Sequence, residues 1–100
     1  MVSKVDWSPV ALADLAQMVE VIGHHAAQDF GVQMLNNIDG LPMFPNRGRI
    51  VAEIRKPHIR EIIQSPYRVI YRVLPANSGI EIVRIWHAKR GVPELPPEIL

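Results

Sequence analysis

The chain has 100 residues, 48% of them hydrophobic and 21% charged, which is the composition of one compact domain and excludes a disordered segment. The absence of cysteine excludes disulfides, thiolate nucleophiles and sulfur-ligated zinc, and neither a signal-peptide core nor a run of ~20 apolar residues occurs, so a soluble, cytoplasmic protein is expected. A net charge of +1 conceals an asymmetry: residues 1–46 hold one basic residue against five acids and residues 47–100 hold ten against five, so an anionic partner is expected on the second half.

Residues 3–7 alternate polar and apolar, with Val5 and Trp7 on one face, and predict a short half-buried strand. Ser8-Pro9 supplies a capping hydroxyl and a proline at the first helical position. Leu12, Leu15, Val19 and Ile22 then recur at helical spacing until Gly23, with His24 and His25 at or just past that end. Ala27, Phe30, Met34, Ile38 and Leu41 mark a second amphipathic helix, and the short connection predicts a helical hairpin. Prolines at 42 and 45 and the Asn46-Arg47-Gly48 turn end the helical period.

Strand-like periods follow at 50–54 and 59–64, and Ser65-Pro66 turns the chain. Residues 67–74 give the strongest strand pattern, rich in β-branched and aromatic residues. A turn at 75–79 leads to a returning strand at 80–86, while 91–100 has neither period and is expected to lie extended on the surface or to be mobile. The order β-α-α-β-β-β(-β) predicts a single α+β domain over 1–100: an antiparallel sheet with the helix hairpin on one face and the other face left for partners.

Alternation across a strand puts Arg68, Ile70, Arg72 and Leu74 on one face, with Tyr67, Val69, Tyr71 and Val73 on the other as core. On the returning strand Ile80, Ile82, Arg84 and Trp86 share a face, opposite Glu81, Val83, Ile85 and His87. If Leu74 pairs near Ile80, Arg68 stands opposite Trp86 and Ile70 opposite Arg84. That register gathers Arg68, Arg72, Arg84 and Trp86 into a basic, aromatic patch suited to phosphate, bases or carboxylates, which Arg60 and Arg90 extend. A slip of one residue would bring His87 beside Arg68 instead, and the plainer reading of Arg68 is an ion pair with Glu61 or Glu81. The His24-His25 pair has no nearby acid cluster, so no metal site is expected, and nothing points to a cofactor.

Ser8-Pro9-x-Ala11-x-x-Asp14-Leu15, Pro45-x-x-Gly48-Arg49, Arg60-Glu61, Tyr67-Arg68-Val69-Ile70-Tyr71-Arg72 and His87-x-x-Arg90 occur in that order. Together they resemble the RelE/ParE superfamily of toxins from bacterial toxin–antitoxin systems, over about residues 3–90. The resemblance implies a compact β-α-α-β-β-β toxin neutralised by a cognate antitoxin, with either the ribosome and its mRNA or DNA gyrase as target. Arg68 matches the arginine that stabilises the transferring phosphate in the ribonuclease members, and Glu53 with His87 would supply an acid/base pair around it, as in YoeB-like toxins. The paired lysines of RelE have no counterpart, since the corresponding stretch reads Ile59-Arg60-Glu61, its second arginine falls near Ala88, and the aromatic residue that follows the histidine in YoeB-like members is missing. The resemblance therefore favours a ParE-like, gyrase-directed toxin over an enzyme, with a ribosome-dependent endoribonuclease and a non-toxic protein-binding homologue as the other readings.

Overall fold

The computed structural model describes residues 4–100, so Ser3 of the expected first strand lies outside the described residues. Strand β1 (Lys4–Trp7) runs directly into helix α1 (Pro9–Ile22). Ser8 caps that helix as expected, accepting from the Ala11 N–H, and Pro9 occupies its first turn. Gly23, at φ +84, ends α1 and at once caps α2 (His24–Asp39), so His24 and His25 open the second helix rather than trail the first. The buried stripe of α1 passes through Ala11 and Met18, while Leu12 is half exposed. Leu15 and Ile22 pack against the core as expected, but the stripe is rotated so that Ala11 and Met18 are its fully buried members in place of Leu12 and Val19. On α2 the predicted residues Ala27, Met34, Ile38 and the following Leu41 are all buried.

The sheet has five strands in the order β1-β5-β4-β3-β2, with β2 at Arg49–Ile50, β3 at Ile59–Gln64, β4 at Tyr67–Val73 and β5 at Gly79–His87. It is mixed rather than wholly antiparallel, because β1 lies parallel to β5, while the β2–β3, β3–β4 and β4–β5 pairs are antiparallel. The expected strand at 50–54 shrinks to the two residues of β2, since Val51 accepts from Ile54 and Arg55 at its carbonyl in a turn and Arg55 takes φ +61. Gly79 is required where β1 meets β5: a Cβ there would stand 2.8 Å from the Lys4 carbonyl oxygen.

Two cores flank the sheet. The helix side holds Ala11, Met18, Met34, Ile38 and Leu41 against Tyr67, Val69, Tyr71, Ile80, Ile82 and Ile85. The far side, expected to stay free, holds Val51, Ile59, Ile70, Val83, Trp86 and Ile99, with Ile54 and Leu95 packed against them. The C-terminal segment therefore folds over the sheet, extended to Pro96 and then turning at Pro97–Ile99 to bury Ile99. Burying these apolar groups stabilises the fold by roughly 25 cal/mol per Å² removed from water.

A β-bulge explains why both faces of β5 are apolar. The pairing Val73↔Ile80 and Tyr71↔Ile82 shifts by one between Ile70 and Tyr71, and beyond it Ile70↔Arg84 and Arg68↔Trp86 pair as the sequence suggests. Val83 is the extra residue, so Ile80 and Ile82 join Ile85 on the helix side and Val83 joins Trp86 on the other.

Tyr71, fully buried, pins the turn before β2: its hydroxyl donates to the Pro45 carbonyl at 2.7 Å and accepts from the Gly48 N–H at 2.9 Å. A Cβ at Gly48 would meet that hydroxyl and the Glu61 carbonyl oxygen, each at 2.6 Å. Tyr71→Phe strands both backbone groups and is expected to cost about 1–3 kcal/mol. In urea unfolding the midpoint should fall with the slope unchanged, and an unaltered midpoint would show that the turn does not depend on the hydroxyl.

Candidate functional site

On the sheet face away from the helices, strand alternation and register place Glu61 of β3 beside Arg68 and Ile70 of β4. The Glu61 side chain is 1% exposed, and an isolated carboxylate there would be strongly disfavoured. Arg68 answers it: Nε donates to Glu61 Oε1 at 2.5 Å and Nη2 to Oε2 at 3.1 Å. The other side of the same guanidinium binds Glu53, Nη1 and Nη2 each donating to one carboxylate oxygen at 2.8 Å. Four of the five guanidinium N–H groups are thereby satisfied within the chain. Arg49 adds a second cation on Glu61, Nε to Oε2 at 2.9 Å. These hydrogen bonds from Arg68 hold the Glu53 carboxyl at about 2, well below its ordinary 4.5, and the two carboxylates, Glu53 first, push Arg68 further up.

The other members of the predicted patch are likewise engaged. Arg60 donates to the carbonyls of Pro57, Gly48 and Asn46, and Arg72 holds Glu81 at 2.9 Å. Arg84 reaches round the edge of β5, where β1 has already ended, to grip Asp14 of α1 through Nε at 2.7 Å and Nη2 at 3.0 Å. The same carboxylate accepts from the Ile85 N–H. Trp86 is buried, donates from Nε1 to the Gly91 carbonyl, and carries the Arg90 guanidinium 3.9 Å above its ring.

Glu53 and His87 are not brought together. Glu53 sits with Arg68 on the far face, whereas His87 pairs with Tyr67 and faces the helices, its ring 5.0 Å from the Tyr67 ring in an edge-to-face contact. The proposed slip that would put His87 beside Arg68 does not occur. Among the described residues no group of three or more histidines or acids converges as a metal site, and His24 and His25 lie exposed on α2.

A family model described as the ParE toxin of type II toxin–antitoxin systems, parDE, matches residues 5–92. The chain belongs to that family. Solved structures share its fold: a chromosomal ParDE toxin–antitoxin system from P. aeruginosa has a TM-score of 0.64 at 23% identity, over 86% of this chain and 96% of that one. A chain of the toxin–antitoxin complex RelBE2 from Mycobacterium tuberculosis has a TM-score of 0.54 at 20% identity, over 87% and 99%. A mutant of the E. coli toxin RelE, in complex with a peptide of the antitoxin RelB, has 0.55 at 15% identity, over 96% and 100%. No curated protein matches the sequence significantly.

In this ParE-family chain, sequence reasoning missed the roles of Glu53 and Asp14 as clamps and of Tyr67 as a wall of a cleft. The signal for Glu61 was present: an acid inside Ile-Arg-Glu-Ile-Ile, on the strand that neighbours Arg68.

Removing Arg68 as Arg68→Met leaves Glu61 with Arg49 alone and Glu53 with neither of its bonds, and is expected to cost about 3–5 kcal/mol in chemical denaturation. An effect below about 1 kcal/mol would mean that the clamp contributes nothing net. Because the folded-state Glu53 carboxyl is depressed, its contribution is present above its ordinary value and is lost as pH falls from about 4.5 towards about 2. Stability measured across that window should decline less steeply in Glu53→Gln than in the unaltered chain.

Proposed function

We propose that this chain is the toxin of a type II toxin–antitoxin pair, that it acts without nucleolysis on DNA gyrase in the cytoplasm, and that a cognate antitoxin neutralises it. The observation that carries the non-nucleolytic reading is the clamped guanidinium of Arg68. Cleavage of RNA needs a base, an acid and a free cation at the phosphate. Arg68, which would have to be that cation, spends its donors on Glu53 and Glu61. Glu53, the acid/base candidate, holds its proton too weakly to act as an efficient base near neutral pH, and His87 works on the opposite face. The C-terminal segment and the turn after β2 further close that face.

An antitoxin is supported by apolar surface at the β3 margin of the sheet. Strand β2 pairs with Arg60 and Glu61, and among the described residues no strand covers that side of β3 beyond them. Ile50 and Ile63 are exposed there, as are Met43 and Phe44 of the nearby loop. An antitoxin segment added as a strand or helix would cover such a margin. The gyrase target rests on membership of the ParE family together with the lack of a nucleolytic arrangement.

Controlled induction in bacteria without an antitoxin tests this reading. Filamentation and a DNA-damage response with intact messages are expected, and Glu53→Gln or His87→Gln should keep toxicity. Rapid translation arrest with cleaved messages and unaltered supercoiling would overturn it. So would toxicity falling by the ~100-fold or more that loss of an acid/base residue causes in an enzyme.

A further inference from the structure

The helix side of the sheet ends in a cleft of about 430 Å³ between the second half of α1 and the ends of β4 and β5. One wall is apolar, formed by Met18 and Val21 of α1 and by Ile85. The other carries Tyr67, His87 and Arg90. Each of these three side chains can donate into the cleft, which the Gln17 amide also lines.

The Tyr67 ring is held by Phe30 and His87, and the residue is 5% exposed. Its hydroxyl makes no hydrogen bond among the described residues, yet it is not sealed from solvent, and burial pushes its pKa up, so it stays a donor. The His87 Nδ1 accepts from the Lys89 N–H at 3.1 Å, which assigns the ring proton to Nε2 and leaves that N–H to donate. Stacking on Trp86 fixes the Arg90 guanidinium in place, and none of its N–H groups has a partner among the described residues. Asp14, the one carboxylate lining the cleft, is already neutralised by Arg84.

The balance is one cation without a partner among the described residues, two neutral side chains able to donate and the Gln17 amide, facing an apolar wall. A nucleic-acid backbone would need several cations along a track, which the cleft lacks. An acidic side chain beside an apolar one matches both walls. We propose that this cleft is a docking site for a protein partner, which inserts a carboxylate against Arg90, His87 Nε2 and the Tyr67 hydroxyl and lays a neighbouring apolar side chain on Met18, Val21 and Ile85. The assignment does not depend on which molecule the toxin attacks, since any acidic segment of that composition satisfies it.

The test is an NMR titration of the full chain, following the Met18 methyl and the Tyr67 and His87 rings. The probes are acetyl-Leu-Glu-Leu-amide, its glutamine counterpart acetyl-Leu-Gln-Leu-amide, and inorganic phosphate. Saturable shifts with the glutamate peptide are expected, about tenfold weaker with glutamine, as loss of a charge-assisted hydrogen bond implies. Arg90→Gln should abolish the preference, and Tyr67→Phe, which preserves the ring packing, should weaken the glutamate peptide by about threefold. Equal binding of the two peptides, no saturation below about 10 mM, or tighter saturation of the same resonances by phosphate would each overturn the proposal.

Discussion

A carboxylate buried in the middle of a β-sheet must be compensated, and in this chain Glu61 imposes that requirement on everything around it. Its oxygens take both Arg68 and Arg49. Arg68, once drawn flat along the sheet, has a second side to satisfy, and Glu53 fills it from the turn after β2. That turn brings Val51 and Ile54 over Ile59, Ile70 and Trp86, and the chain's last residues complete the layer with Leu95 and Ile99. A surface that carries arginines by alternation thus becomes a second core with an internal charge network, and its positive charge is spent inside the molecule.

The edge of β5 is managed by a different set of contacts. Beyond Ile82, among the described residues, no strand lies along the side of β5 that faces away from β4, and side chains from α1 take over. The Ser8 N–H donates to the Ile82 carbonyl, the Ser8 hydroxyl to the Val83 carbonyl, and Asp14 accepts from the Ile85 N–H. One residue therefore caps a helix and the sheet together, and a second ties a helix to both a strand backbone and the Arg84 side chain. The spacing of Ser8 and Asp14 in the sequence reflects this geometry, since six residues along a helix carry the chain about 9 Å past the edge it covers.

Much of this architecture was legible in the sequence because it rests on local periods. The Ser8-Pro9 start, the Gly23 break, the stripe from Ala27 to Leu41 and the strands at 59–64 and 67–73 all follow from capping and alternation. The pairing of Arg68 with Trp86 agrees with the expected register only because two offsets cancel: Val73 rather than Leu74 stands opposite Ile80, and the extra residue Val83 restores the count. The bulge at Val83 was hidden: Ile80, Ile82, Val83 and Ile85 are all apolar, so a change of face leaves no mark in the pattern. The parallel placement of β1 joins residues some 75 positions apart, beyond the reach of any local signal. At the candidate site the residue types were readable, but a guanidinium looks the same in a sequence whether it is free or bound. Alternation set His87 opposite the Arg84–Trp86 face and the resemblance set Glu53 near Arg68, but only the fold shows Glu53 and Glu61 holding the guanidinium between them.

The two margins of the sheet are unequal, and this sets how copies of the chain could add to one another. At one margin stands a four-residue strand bearing Lys4 and Asp6, followed by a backbone already capped from α1. The opposite margin has an uncovered stretch past Glu61 beside exposed isoleucines. A strand so short and charged is a poor template for another strand, so the margin past Glu61 is the more receptive of the two.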